Sequence, residues 1–196
     1  MKSICVFCGS SMGNHPAYKD EAEKLGILMA NKNITLVYGG ADVGLMSVIA
    51  NSNLQASGKC IGVMPGRLID LEIAHDNLTE LIVVDSMHER KGKMAELSDG
   101  FIAMPGGFGT LDELSEALTY NQLRLYDKPV GILNINGYFD LLLDFLDQSV
   151  EGKFVRQEHR NNIIISDDAE ELLRKMMEYK PVSIGKWIDE IKEERQ

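Results

Sequence analysis

The residues best suited to chemistry fall in two short segments. Pro105-Gly106-Gly107-Phe108-Gly109-Thr110 is a glycine-rich run that continues into Leu111-Asp112-Glu113, and Ser86-Met87-His88-Glu89 is followed at once by Arg90 and Lys91. Glycine lets backbone N–H groups come close to a ligand, and where a helix begins next, those groups and the helix dipole form a site for phosphate. The same run delivers a carboxylate, Glu113, to the edge of that site. A like charge beside a bound phosphate does nothing for binding and suits a catalyst. Arg90 and Lys91 stand near a helix start, where cations oppose the dipole, so helix stability does not explain them. Arg90 can hold phosphate through its fork of donors or orient Glu113. A plainer reading stands beside this one. Thr110 to Glu113 and Ser86 to Glu89 both have the spacing of a capping box, whose acids the dipole favours without any catalysis.

Two more glycine-rich runs follow apolar stretches: Gly9-Ser10-Ser11-Met12-Gly13 and Gly39-Gly40-Ala41-Asp42-Val43-Gly44. One such turn is ordinary, whereas three together favour a nucleotide or sugar phosphate. Neither G-x-G-x-x-G nor G-x-x-x-x-G-K-[ST] occurs, which argues against an ordinary dinucleotide site and against P-loop hydrolysis. Met12, Met46, Met87 and Met104 stand near strand ends, where they line either the core or an apolar pocket for a base. Cys5 and Cys8 have C-x-x-C spacing, but they sit in an apolar strand whose pleat sends them to opposite faces. No second ligand pair exists to complete a zinc site, so they read as buried small hydrophobes. His75 and His88 lack a paired nucleophile and read as structural or rim residues.

These residues need a scaffold, and the hydrophobic pattern supplies one. Short apolar runs at Ser3–Cys8, Ile34–Tyr38, Cys60–Met64, Glu80–Val84, Gly100–Met104, Val130–Leu133 and Ile163–Ile165 read as strands. Helical patterns alternate with them at His15–Ala30, Gly44–Gln55, Met87–Leu97, Leu111–Leu123, Phe139–Ser149 and Asp168–Tyr179. Strands that are apolar throughout, joined by helices, indicate an α/β fold: a doubly wound parallel sheet of about seven strands covered on both faces. In such a layout the fourth and fifth strands are expected to be neighbours, which would bring Arg90 and Glu113 to one cleft. The chain has 196 residues, 44% hydrophobic and 26% charged, with a formal net charge of −10. That suits one globular domain, 1–180, with a charged tail or short helix at 181–196 whose Trp187 packs the tail onto the body, in preference to a second subunit. An acidic surface disfavours nucleic acid and anionic lipid. No apolar run is long enough to span a bilayer, and no leader pattern opens the sequence. Three cysteines suit a reducing compartment, so a soluble cytoplasmic protein is expected.

With the motifs in place, a resemblance can be stated. Pro105 to Glu113 matches the pattern PGGxGTxxE, and Met87-His88-Glu89-Arg90-Lys91-Gly92-Lys93-Met94 matches MxxRKxxM. Together they resemble the Lonely Guy (LOG) family of cytokinin-activating phosphoribohydrolases, long labelled possible lysine decarboxylases. The likeness runs from Cys5–Ser11 to about Tyr179. It implies a Rossmann-like fold and hydrolysis of the N-glycosidic bond of an adenosine 5′-monophosphate, N6-modified or plain, releasing the free base and ribose 5-phosphate. It places the catalytic pair on Arg90 and Glu113. It places substrate contacts on Glu72, Arg90, Lys91, Gly107, Phe108, Gly109, Thr110, Leu111, Asp112, Glu113 and Thr119. It implies a homodimer and no metal or organic cofactor.

The chemistry agrees with these residue types. Breaking a ribosyl bond builds positive charge on the sugar ring, and a carboxylate such as Glu113 stabilises that charge and orients water. A phosphate anchored at Gly107, Gly109 and Thr110 positions the reacting carbon. Arg90 is expected to neutralise phosphate and keep Glu113 ionised. One departure concerns Tyr120-Asn121-Gln122-Leu123-Arg124, where many members of the family carry Trp-Ala-Gln-Leu-Gly; it bears on base preference and the dimer. Two alternatives remain open in the sequence: a non-catalytic nucleotide-binding or carrier protein of the same fold, and a pyridoxal-phosphate decarboxylase, for which no Schiff-base lysine can be nominated.

Overall fold

In the computed structural model, residues 1–69 and 74–181 are described. Seven strands, β1 (Ser3–Phe7), β2 (Thr35–Tyr38), β3 (Cys60–Pro65), β4 (Glu80–Val84), β5 (Phe101–Ala103), β6 (Val130–Leu133) and β7 (Ile163–Ser166), form one sheet. Between them run α1 (Pro16–Asn31), α2 (Gly44–Gln55), α3 (Gly66–Ile69), α4 (Met87–Glu96), α5 (Phe108–Gln122), α6 (Asp140–Glu151) and α7 (Gln157–Asn161), and α8 (Ala169–Met177) follows β7. A 3₁₀ turn at Ile135–Gly137 follows β6. Every strand pair is parallel. This is the doubly wound α/β architecture that unbroken apolar strands and amphipathic crossovers dictate. The short α3, α7 and the 3₁₀ turn were not foreseen, because one turn of helix leaves no periodicity to read. The tail with Trp187 and the position of Glu72 lie outside the described residues.

The strand order is β4-β3-β2-β1-β5-β6-β7. The chain winds outward from β1 to β4, and α4 then carries it back so that β5 pairs with β1. β4 and β5 are therefore not neighbours as expected; β3, β2 and β1 stand between them. The order reverses between β1 and β5, and such a reversal opens a crevice at the carboxyl ends of the strands.

Each face of the sheet has its own core. Ile4, Val6 and Cys8 of β1 and its following residue pack with Leu25 of α1, Ile49 of α2 and Leu172 of α8 on one face. Cys5 and Phe7 pack on the other with Met94 of α4, Leu114 of α5 and the half-buried Leu142 of α6. Cys5 and Cys8 thus face opposite ways, and they and Cys60 are buried and unbridged. Burial pushes all three thiols up, furthest from the reactive thiolate state.

Candidate active site

Three turns knit together at the reversal point. Gly9 donates its N–H to Pro105 O at 3.0 Å, and Leu45 N–H, in the first turn of α2, donates to Gly9 O at 3.1 Å. Gly44 has φ +53, and a side chain there would run into the backbone of Ser10 and Ser11, so only glycine allows the β1 and β2 turns to touch. A Cβ on Gly106 would lie 2.9 Å from Gly9 N and collide with the Thr110 hydroxyl. The Tyr138 hydroxyl fixes the same loop from outside by donating to Gly106 O at 2.6 Å.

Beyond this tight knot the loop opens. An added Cβ at Gly107 or Gly109 would meet nothing within 4 Å. Gly107 is the N-cap of α5, and no side chain caps the helix. The first-turn N–H groups of Phe108, Gly109 and Thr110 have no intrahelical acceptor by construction, so they form an anion cradle at the positive end of the dipole. The capping box read at Thr110–Glu113 does not form. Helix α5 starts at Phe108, three residues earlier than expected, which puts Thr110 inside it and Glu113 in its second turn. A polar cap would have occupied the N–H groups that glycine leaves open. The other capping box forms in part around Ser86: its Oγ accepts from Glu89 N–H at 3.1 Å, but the Glu89 carboxylate accepts from Asp85 N–H at 2.9 Å, one residue before the cap.

Arg90 reaches the same rim by a route the strand order alone would not suggest. The first turn of every crossover helix lies at the carboxyl ends of the strands, and α4 leans from β4 across β3. Arg90 is 8% exposed. Its Nε donates to Val63 O at 2.9 Å and its Nη2 to Gly39 O at 3.3 Å, which anchors the guanidinium over the ends of β3 and β2. A Cβ on Gly39 would collide with that guanidinium. Nη1 is left facing Glu113 Oε1 at 3.9 Å. That separation is an ion pair and too long for a hydrogen bond.

Glu113 is pushed up to about 7, chiefly by burial; Arg90 pulls it down, Asp112 raises it, Lys91 lowers it and Glu116 raises it. Arg90 acts in the direction expected, but burial outweighs it. The carboxyl therefore titrates near neutrality rather than staying ionised throughout. Enzymes tune acids and bases to this range by this means.

The cleft, about 190 Å³ in volume, has Arg90, Glu113, Gly107, Phe108, Gly109 and Thr110 in its walls. Gly9, Ser10, Gly39 and Met46 complete them, and Val6, Phe7 and Cys8 form the floor. The glycine turns were visible in sequence; the floor residues had no signal beyond being strand. Of the four methionines near strand ends, Met46 lines the cleft, Met87 touches Arg90 Nη1 through its sulfur at 3.9 Å, Met104 is core and Met12 is exposed elsewhere. Lys91 is turned toward α5, with its Nζ 3.0 Å from Asp112 and 2.6 Å from Glu116. Asp112 and Leu111 lie on the outer side of α5, outside the cleft walls. Thr119 lines a different groove with Leu118, Leu146 and Ile163. That groove has a similar volume, about 190 Å³, but neither a glycine turn nor a carboxylate. His75 is buried and engages Asn51 at 3.3 Å, and His88 is exposed, so neither enters the cleft. Among the described residues no group of three His, Cys, Asp or Glu side chains could hold a metal ion.

Fold and cleft together define a doubly wound α/β protein with an anion cradle and a buried Arg–Glu pair at the strand reversal. The family described as possible lysine decarboxylase matches residues 46–176. A cytokinin riboside 5′-monophosphate phosphoribohydrolase of Arabidopsis thaliana is 47% identical over 180 residues, covering 92% of this chain and 84% of the relative. A probable enzyme of the same name from Oryza sativa subsp. japonica is 44% identical over 191 residues, covering 95% and 78%. The chain belongs to this possible lysine decarboxylase family, the LOG family. Among solved structures, a molybdenum cofactor binding protein from Rippkaea orientalis superposes with TM-score 0.67 at 27% identity, covering 90% of this chain and 98% of that one. The Chlamydomonas reinhardtii molybdenum cofactor carrier, at TM-score 0.69 and 21% identity over 90% and 98% of the two chains, shares the fold.

The decarboxylase label does not fit the cleft. Pyridoxal-phosphate chemistry needs a lysine whose amine is readily deprotonated. Among the described residues no lysine lines the cleft. Lys91, beside it, is raised instead, first by its bond to Glu116.

Proposed function

We propose that this protein hydrolyses the N-glycosidic bond of adenosine 5′-monophosphates, with N6-modified nucleotides among its substrates, releasing the free base and ribose 5-phosphate. The observation that carries this reading is Glu113, buried beside Arg90 and next to the uncapped start of α5. The identity of 44 to 47% to the phosphoribohydrolases supports it. The substrate phosphate sits on the N–H groups of Phe108, Gly109 and Thr110, which fixes the ribose so that C1′ comes before Glu113. As the bond from C1′ to the base nitrogen breaks, its electron pair leaves with the base, which takes up a proton. Positive charge gathers on C1′ and the ring oxygen, and ionised Glu113 stabilises it. Water then bonds to C1′ and gives a proton to Glu113, which releases it to the solvent that supplied the proton taken up by the base, so the carboxylate is restored. Arg90, held by Val63 O and Gly39 O, supplies the fixed positive charge between phosphate and carboxylate.

In this reading Arg90, Glu113, Gly107, Phe108, Gly109 and Thr110 contact substrate, and Glu72 is retained from the family pattern. Lys91, Leu111 and Asp112 serve the frame around the site, and Thr119 the second groove. Helix α6 exposes Leu141 and Phe145, and Phe154 follows it. Apolar side chains left exposed together among the described residues suit a partner, and we assign this face to a second copy in a homodimer. No helix of the described residues is long and apolar enough to cross a membrane. The unbridged cysteines suit the cytoplasm.

The test is chromatographic detection of free base after incubation with AMP and with N6-isopentenyl-AMP, with Glu113→Gln as control. Base from either, lost in the variant, is expected. A nucleotide that stays bound and intact would instead favour the carrier reading.

A further inference from the structure

Lys91 is expected to contact substrate, yet its partners in the structure point to a role outside the cleft. It follows Arg90 on α4, yet its side chain reaches α5, where Nζ lies 2.6 Å from Glu116 Oε2 and 3.0 and 3.2 Å from the two oxygens of Asp112. Asp112 and Glu116 are four residues apart and present one face of α5 to α4; Glu113 lies between them, three residues from Glu116. The Arg90–Glu113 contact, at 3.9 Å, is too long to set its own distance. With the guanidinium held on Val63 O and Gly39 O, the placement of α5 against α4 and the sheet decides where Glu113 meets it.

Packing does not fill the space between those helices. A cavity of about 20 Å³ is lined by Lys91 of α4, Glu113 and Glu116 of α5, Phe101 of β5, and Tyr120 and Tyr126 among others. That is room for about one water molecule. Glu113 thus borders both the cleft and this void, and Lys91 and Glu116 of the polar bridge line the void as well.

We propose that Glu116 is a positioning residue for Glu113: bonded to Lys91, it braces α4 against α5 and so holds Arg90 and Glu113 at their working separation. This rests on the hydrolase reading above. Glu116 also acts on the charge of Glu113. The charged and titratable groups around Glu113 are Arg90 and Lys91 from α4, Asp112 and Glu116 on its own helix, the thiols of Cys5 in β1 and Cys8 just after it, and the phenols of Tyr120 and Tyr126 across the void. Removing the charge of Glu116 takes away a neighbour that disfavours ionised Glu113. It also frees Lys91 to attract Glu113 more strongly. Both changes favour the carboxylate, so Glu113 ionises at lower pH.

The experiment measures kcat and KM between pH 5.5 and 9 for the wild type, Glu116→Gln and Glu116→Asp, with N6-isopentenyl-AMP and AMP as substrates. In Glu116→Gln, kcat is expected to fall about 10-fold with KM changed less than about twofold, as for a misplaced reacting group. The acid limb of its rate profile moves to lower pH. Glu116→Asp keeps the charge but is one methylene short, so kcat falls while the acid limb stays in place. If Glu116→Gln does not fold, the kcat of Glu116→Asp decides alone. A purely structural brace would lower the melting temperature of both variants and leave kcat and the acid limb of the folded protein unchanged; that result overturns the proposal and leaves the hydrolase reading intact. A wild type that releases no base from either nucleotide overturns both.

Discussion

Replacing Glu113 by Gln keeps the shape of the side chain and removes its proton, so the pair of proteins isolates what one buried carboxyl does to stability. In the native protein Glu113 is pushed up to about 7 by burial, against an ordinary value of 4.5. A group raised on folding binds more protons in the native than in the unfolded state between those two values. Its contribution to stability is therefore fully present below pH 4.5 and lost as pH rises toward 7 and beyond. Over the whole span that is about 3 kcal/mol. The isoelectric point near 4.9 makes the acid end unsuitable for unfolding work. Between pH 5.5 and pH 8 the loss is about 2 kcal/mol. Gln does not titrate, and other groups cancel in the difference. Urea unfolding of both proteins across that range should show the wild type losing about 2 kcal/mol relative to Glu113→Gln, a midpoint change of about 1 M. Parallel curves would refute the reasoning, since they would mean that Arg90 keeps Glu113 charged throughout and that burial does not dominate. Base release by the variant should drop by about 10²-fold or more.

Arg90→Met should unfold at a urea concentration lower by the equivalent of about 3–5 kcal/mol, because Val63 O and Gly39 O lose their donor and Glu113 its counter-charge; a loss under 1 kcal/mol would show that the guanidinium is not an anchor. The two glycines on either side of Gly107 should behave oppositely. Gly106→Ala should cost at least about 1–3 kcal/mol by calorimetry, since its Cβ meets Thr110 and Gly9. Gly109→Ala, in open space within a helix, should raise stability by about 0.5 kcal/mol while increasing KM for the nucleotide; unchanged KM would remove the anion cradle from this loop. Phe145→Glu should shift sedimentation toward the monomer if α6 is the covered face, and identical sedimentation of variant and wild type would place the contact elsewhere or deny it.

Much of this protein was written in its linear pattern. Unbroken apolar runs such as Ile4–Phe7 and Ile61–Met64 can only be strands buried on both faces, and the amphipathic stretches between them can only cover those faces, so the parallel sheet followed from local hydrophobicity. The glycine turns after β1, β2 and β5 marked the rim of the cleft, because the close contacts at Gly39, Gly44 and Gly106 leave no room for a side chain. Pro105 to Glu113 and Met87 to Met94 carried the family. Tertiary structure decided what depends on distances across the chain. The strand order, with β1 rather than β4 beside β5, arises from how the crossovers pack, which no local window contains. The start of α5 was misplaced by three residues because Thr110 and Glu113 imitate a cap that the open glycine end makes unnecessary. Arg90 and Lys91 are neighbours in sequence, but α4 turns one into the cleft and the other onto Asp112 and Glu116. The protonation of Glu113 is the clearest case: its residue type and its arginine partner are legible in sequence, but the burial that outweighs that partner exists only once the chain has folded.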